Sequence, residues 1–335
     1  MDGRTEQMLK VEDKLQRMIK SLPPLLHEYY YAMANYTHNT KLQYIYKIKN
    51  FFDEIYEMKW GDAEIKRLSS IKIDQYITKR KMHIVRDHKL GNEVLAMQIT
   101  AVSLFYDFLV KRGYTKENPF KNSVGRPTIK PPKDVIYMEY TEVKEVMDNI
   151  QTGIGSSRSV ARQKKWKTRD MLLLLIPLTT GMRISALMGI NLEDIDLGQG
   201  TILTTEKGDN KRIYVIPNEV VEVTKQWIDE RQKMVGESDL AALFITRTGG
   251  AYGRMTVRTA ERTISRYTNS LSKHITPHKL RSTYGTFVYR ESGDLKMTSE
   301  LLGHKQISTT KRYAATDQNR KEEVQGAVFH KIFDS

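Results

Sequence analysis

Apolar side chains recur at helical spacing along most of this 335-residue chain, interrupted by prolines, glycines and one alternating segment. The pattern predicts a short amphipathic helix over 11–20, ended by Ser21-Leu22-Pro23-Pro24. A second helix spans 40–58 through Leu42, Ile45, Ile48, Phe52, Ile55 and Tyr56. A third follows over 71–81 with Ser69 or Ser70 near its cap. A fourth covers 92–112, where Val94, Ile99, Val102, Phe105, Phe108 and Leu109 form one side and Gly113 stops it. Residues 1–125 therefore read as a small helical bundle, the first twenty or so being a short N-terminal extension.

The stretch 126–134 reads as a linker, because its three prolines forbid regular helix. Arg126, Lys130 and Lys133 make it suited to lie along a phosphate backbone, a role compatible with an ordinary interdomain loop. Beyond it, 135–335 reads as a second domain. Thr141 is expected to cap a helix to about residue 149, with a loop over 153–159 and a basic segment holding Arg158, Arg162, Lys164, Lys165, Lys167 and Arg169. An apolar helix over 170–180 ends at Gly181. The strongest β signal is a hairpin, 201–206 and 212–217, turning at Gly208-Asp209-Asn210. From Asn218 onward the pattern reads mainly as helix. The fold class is mainly α with a small β-hairpin or sheet, in two domains.

Charge adds the partner. The formal net charge is +14, with +8 before residue 131 and +6 after it, so both halves suit a polyanion. No cysteine is present, which excludes disulfides and thiolate chemistry and allows a reducing cytoplasm. The longest uninterrupted apolar run, eight residues over 171–178, is far short of the ~20 needed to span a bilayer.

Chemistry concentrates in the last half of the chain. Thr276-Pro277-His278-Lys279-Leu280-Arg281 reads as a helix start, with His278 and Arg281 on one face of its first turn, where free N–H groups favour a phosphate. Arg183 emerges just after Gly181, and an arginine there can hold two phosphate oxygens bidentately. Lys207 lies at the hairpin tip beside Gly208 and Lys211, where its role rests on context. Tyr313 is the nucleophile candidate. A phenol of pKa near ~10 needs a cationic surround to attack.

In this order the motifs Thr180-Gly181-Met182-Arg183-Ile184-Ser185, Lys207-to-Lys211, His278-x-Leu280-Arg281, Leu302-Gly303-His304 and Ser308-to-Tyr313 resemble those of the tyrosine recombinase (phage-type integrase) family. The resemblance is strong over roughly 135–320 and looser before it. It implies a helical core-binding domain and a catalytic domain closing as a C-shaped clamp around duplex DNA. It further implies a metal-free and ATP-independent transesterification without cofactor. Tyr313 would form a 3′-phosphotyrosyl bond, Arg183, Arg281 and His304 would neutralise the phosphate, His278 would assist, and Lys207 would protonate the leaving oxygen.

Lys211, Arg162, Lys164 and Lys165 join the linker cations as expected DNA contacts. The implied partners are double-stranded recombination sites, a tetramer of this chain on two sites, and accessory DNA-bending or directionality factors, with no membrane. The tail, through Ala327-Val328-Phe329 and Ile332-Phe333, would dock in its own domain or on a neighbouring protomer. Integration or excision of a mobile element is the expected role. Replicon dimer resolution, a topoisomerase-like activity, a metal-dependent nuclease and a non-catalytic clamp are the rivals. Ala186 and Ser282 stand where the family commonly has an acidic residue and a histidine.

Overall fold

The computed structural model describes residues 3–82, 84–85, 88–89, 91–127, 135–205, 211–303, 310 and 313. The chain forms two compact units, Met1–Pro132 and Lys133–Ser335. Lys130, Lys133, Lys207, His304, Ser308, the 208–210 turn and the tail at 327–333 lie outside the described residues.

The first unit is built from α1 (Gly3–Ile19), α2 (Pro24–Ala32), α3 (His38–Ile55), α4 (Asp62–Lys66), α5 (Ser70–Met82), a short antiparallel ribbon of β1 (Ile84–Val85) and β2 (His88–Lys89), and α6 (Asn92–Lys111). Thr37 caps α3 by accepting the Thr40 N–H at 3.3 Å, and Ser69 accepts the Lys72 N–H at 3.4 Å at the start of α5. Here α3 and α6 pack together, burying Ile45, Ile48, Phe51 and Phe52 against Ile99, Val102 and Phe105. By length and composition α6 could cross a membrane, yet half of it is buried in this unit.

The spacing predicts neither α4 nor the β1–β2 ribbon, and α1 and α2 also differ from expectation. The helix expected from residue 11 begins at Gly3. The pair Pro23-Pro24 ends α1 but also opens α2, because proline at the first helical position loses no needed hydrogen bond. Its Leu25, Leu26, Tyr29 and Tyr30 are buried.

The second unit runs α7 (Tyr140–Thr152), α8 (Ser157–Lys164), α9 (Lys167–Thr180), α10 (Ile184–Gly189), a 3-10 turn at Leu192–Asp194, β3 (Ile195–Asp196), β4 (Thr201–Thr205), β5 (Lys211–Val215), α11 (Asn218–Val235), β6 (Ile245–Thr248), β7 (Ala251–Arg254), α12 (Val257–Thr268), α13 (Pro277–Ser292) and α14 (Leu295–Leu302). The mainly helical class with small antiparallel sheets is as expected. Because α9 is apolar around its circumference, it is surrounded, packing on α7, α11, α12 and α13. Strands β3, β4 and β5 form one antiparallel sheet, with Leu203 opposite Ile213 and Thr204 opposite Arg212.

Three local expectations change. Glu139, not Thr141, precedes α7, and its N–H donates to Glu142 Oε2 at 2.7 Å. The loop before the basic segment is shorter, since Ser156 caps α8. Residues after 218 also include the hairpin β6–β7, whose turn Gly249-Gly250 has both φ values positive, a conformation glycine adopts without strain.

Arg169, the last cation of the basic segment, does not lie at the surface. It is buried, donating to Asp170 Oδ1 from Nε at 2.8 Å and to the Ile245 carbonyl from Nη1 at 2.9 Å. Tyr267 donates to Asp170 Oδ2 at 2.9 Å, so one ion pair ties α9 to α12 and β6. Burial, with the Asp170 carboxylate, raises the Tyr267 pKa and keeps that phenol protonated as the donor. Removing one member of a buried pair strands the other. Asp170→Ala is expected to destabilise the second unit by ~3–5 kcal/mol, while Lys164→Ala on exposed α8 changes it by less than ~0.5 kcal/mol. Urea denaturation of both variants checks this, and equal, small losses would contradict it.

Candidate active site

The site grows along one stripe of α13. Thr276 stands at its N-cap and Pro277 at its first turn; the Thr276 carbonyl accepts the Lys279 N–H at 2.8 Å, while its side chain makes no capping bond. Positions 278, 281 and 285 then share a face, three and four residues apart. His278 is exposed at the open end of the stripe. Arg281 is only 3% exposed. Its Nη1 donates to the Gly181 carbonyl and its Nη2 to the Leu302 carbonyl.

Those two acceptors lie at the C-terminal ends of α9 and α14. A helix C-terminus carries partial negative charge, so the guanidinium is held between two such ends. Carbonyl acceptors orient a guanidinium without cancelling its charge.

Gly181 turns the chain out of α9 at φ +65. Two residues on, half-buried Arg183 forms the N-cap of α10, its carbonyl accepting the Leu187 N–H at 3.0 Å. Thus Arg281 is bonded to the turn that launches Arg183. Tyr313 is fully buried, its N–H on the Thr310 carbonyl at 2.9 Å. A Cβ on Gly285 would stand 2.9 Å from Tyr313 Cζ and 2.9 Å from Leu302 Cδ1, so the tyrosine ring rests on α13 one turn past Arg281. The structure therefore brings together the Arg183 turn, Arg281 and Tyr313.

The departures from the family pattern have plain local consequences. Buried Ser282 donates back to the His278 carbonyl at 3.1 Å. Ala186 is buried on α10, whose C-terminal end is held from β7: Arg254 Nη1 donates to the Met188 and Ile190 carbonyls at 3.0 and 3.1 Å.

Among the expected DNA contacts, Arg162 and Lys164 are exposed on α8, and exposed Lys165 approaches Tyr252 Oη at 3.2 Å. Exposed Lys211 begins β5. Arg126 is exposed in the first unit, its Nη2 3.5 Å from Ser103 Oγ. Among the described residues, no group of three or more His, Asp or Glu side chains is placed to hold a metal ion.

Sequence reasoning passed over three features. Arg258, Arg262 and Arg266 repeat every fourth residue and form an exposed stripe on α12, a spacing visible in the sequence. Tyr284 is half-buried against Gly181, its Cδ1 2.5 Å from where a Cβ there would stand. Burial raises the Tyr284 pKa, partly offset by Arg212 and Arg281, so this phenol stays neutral beside the arginines. Arg212, finally, reaches from β5 to the end of α14, donating from Nη2 to the Glu300 and Leu301 carbonyls at 3.1 and 2.7 Å.

Residues 137–320 match the model of the phage integrase family. A tyrosine recombinase XerC of Proteus mirabilis is 29% identical over 257 residues, covering 74% of this chain and 78% of its own. The XerC of Oceanobacillus iheyensis is 30% identical over 241 residues, covering 71% and 74%. Among solved structures, the Tn1549 transposon integrase in complex with transposon right end DNA superposes with a TM-score of 0.66 at 18% identity, over 90% of this chain and 98% of that one. The XerH site-specific recombinase bound to palindromic difH substrate gives 0.62 at 21%, over 86% and 78%. These two likenesses concern the fold. The family match spans more than half of the chain and contains Arg183, Arg281 and Tyr313, and the protein belongs to the phage integrase family as a tyrosine recombinase.

Proposed function

We propose that the protein exchanges DNA strands at a specific site through a covalent intermediate. Tyr313 Oη attacks the scissile phosphorus and forms a 3′-phosphotyrosyl bond, while the P–O5′ bond breaks. Arg183, Arg281 and His304 neutralise the charge on the non-bridging oxygens. His278 assists by hydrogen bonding or proton transfer, and Lys207 delivers a proton to the departing 5′ oxygen. One ester replaces another, so the bond energy is kept and a 5′-hydroxyl from a partner strand reverses the step.

The observation that carries this reading is the position of Arg281, held by two helix C-termini with the Tyr313 ring packed on Gly285, one turn further along α13. Preorganised charge of this kind is commonly the largest catalytic contribution. The two units would close around duplex DNA, joined by the strap at 126–134. Four protomers on two sites would complete an exchange, with the tail at 327–333 a candidate contact between them and accessory bending factors as further partners. Integration, excision and dimer resolution are the same exchange at differently placed sites. The expected mobile-element role therefore stands or falls on where the protein cuts.

Nicked duplexes tiling the DNA that flanks the gene test the chemistry in EDTA. Wild type is expected to give a covalent protein–DNA band, Tyr313→Phe none, and Arg183→Lys a band formed ~10²–10³-fold more slowly. A band from Tyr313→Phe would move the nucleophile elsewhere, and cleavage only with Mg²⁺ would sink the metal-free mechanism. The nick position that traps separates an element end from a replicon locus.

The α12 stripe makes a second prediction. Changing Arg258, Arg262 and Arg266 together to alanine should flatten the dependence of log K on log salt by ~0.9 for each phosphate that these arginines neutralise in the wild type. An unchanged slope in a binding titration would mean that this face does not meet DNA.

A further inference from the structure

The last turn of a helix leaves carbonyl oxygens without intrahelical partners, and such a turn frays unless something else holds it. At α14 the Glu300 carbonyl accepts the Gly303 N–H of the cap at 2.9 Å, and the three final carbonyls all receive arginines from other elements. Arg281 of α13 takes Leu302, and Arg212 of β5 takes Glu300 and Leu301. Arg212 is itself fixed from two sides. Its guanidinium lies 4.6 Å from the centroid of the buried Tyr214 ring, two residues along the same strand face. At its other side it fills the space over Gly303, where any Cβ would collide with Nη1. Gly303 adopts φ +62, a conformation that glycine holds without strain.

We propose that Arg212 is a positioning residue for Arg281. The orientation of Arg281 depends on its acceptor at Leu302, and that acceptor is only as fixed as the turn that carries it. Arg212 clamps the two preceding carbonyls, so the acceptor stays in place when the guanidinium must receive the scissile phosphate. The two guanidinium groups also share a neighbour in Tyr284, whose ionisation both influence. Both guanidinium groups bond to successive carbonyls at the end of α14, whose partial negative charge offsets the repulsion between like charges. A lysine at 212 would keep the charge without the planar fork that reaches two carbonyls at once.

This inference rests on the reading of Arg281 as a phosphate-binding group, and the test separates the two. Covalent trapping is measured on nicked duplexes carrying either an ordinary scissile phosphate or a methylphosphonate, both diastereomers. In the methylphosphonate a methyl group replaces one non-bridging oxygen, so the charge that an arginine must neutralise is gone, while the P–O5′ bond still breaks.

On the phosphate, Arg212→Ala is expected to cleave ~10²-fold more slowly, the cost of a misplacement of about 1 Å in a catalytic group. Arg212→Lys is expected to fall between Arg212→Ala and wild type. On the methylphosphonate the loss should largely vanish for both variants. Loss of equal size on the two substrates would overturn the proposal, since a general weakening of the fold or of the β4–β5 hairpin does not discriminate between them. Wild-type rates on both would overturn it as well.

Binding of an uncleavable duplex by each variant reports that it is folded. Arg281→Ala runs alongside. If its loss shrinks on the methylphosphonate and that of Arg212→Ala does not, the positioning role alone fails. If the Arg281→Ala loss does not shrink, the phosphate role of Arg281 fails and the positioning role with it.

Discussion

A buried positive charge has to be stabilised without being neutralised if it is to act on a phosphate. At Arg281 the requirement is met by backbone carbonyls at the ends of α9 and α14. A carboxylate would orient the guanidinium equally well but would compete with the incoming anion. Carbonyls supply direction and partial charge only. Much of the surrounding fold follows from bringing two helix C-termini to one point on α13. The left-handed turns at Gly181 and Gly303, the bare surface at Gly285 and the central position of α9 all serve that convergence.

The same device recurs away from the site. Arg231 donates to the Ala242 carbonyl at 2.8 Å and also to Leu240, Arg254 to Met188 and Ile190, and Arg169 to Ile245. The second unit therefore uses arginine to join helices and strands through main-chain oxygens. Its surplus of basic residues is thus not simply a measure of affinity for a polyanion. Part of it is structural, and among the described residues the exposed part, which includes the cations of α8, α12 and the first residue of β5, is placed to meet a phosphate backbone.

How much could be read in advance varies by residue. The helix start at Pro277 was legible because threonine and proline have positional preferences that need no tertiary contact. The arms of the β4–β5 hairpin were legible from β-branched residues flanking a turn. By contrast α2 was hidden, because a Pro-Pro pair stops one helix and starts another with the same two residues. The β6–β7 hairpin was also hidden; its arms are short and its Gly-Gly turn is the whole signal. Arg212 is an intermediate case. Strand alternation puts it on the inner face with Tyr214, while Lys211, Ile213 and Val215 point outward. That face was predictable, but the helix end it touches was not.

The sequence by itself determined the helical class, the basic character, the stripe that sets His278 and Arg281 on one face, and the family resemblance carried by motifs in order. All of these depend on local spacing or residue type. Only the tertiary structure decided that Arg169 is buried rather than exposed, that Arg281 is aimed by Gly181 and Leu302, and that Tyr313 rests on Gly285. Residues separated by 100 positions, such as Arg281 and Gly181, meet because packed helices bring their ends together. Local periodicity fixes which face a side chain occupies but holds no record of which distant carbonyl that face will meet.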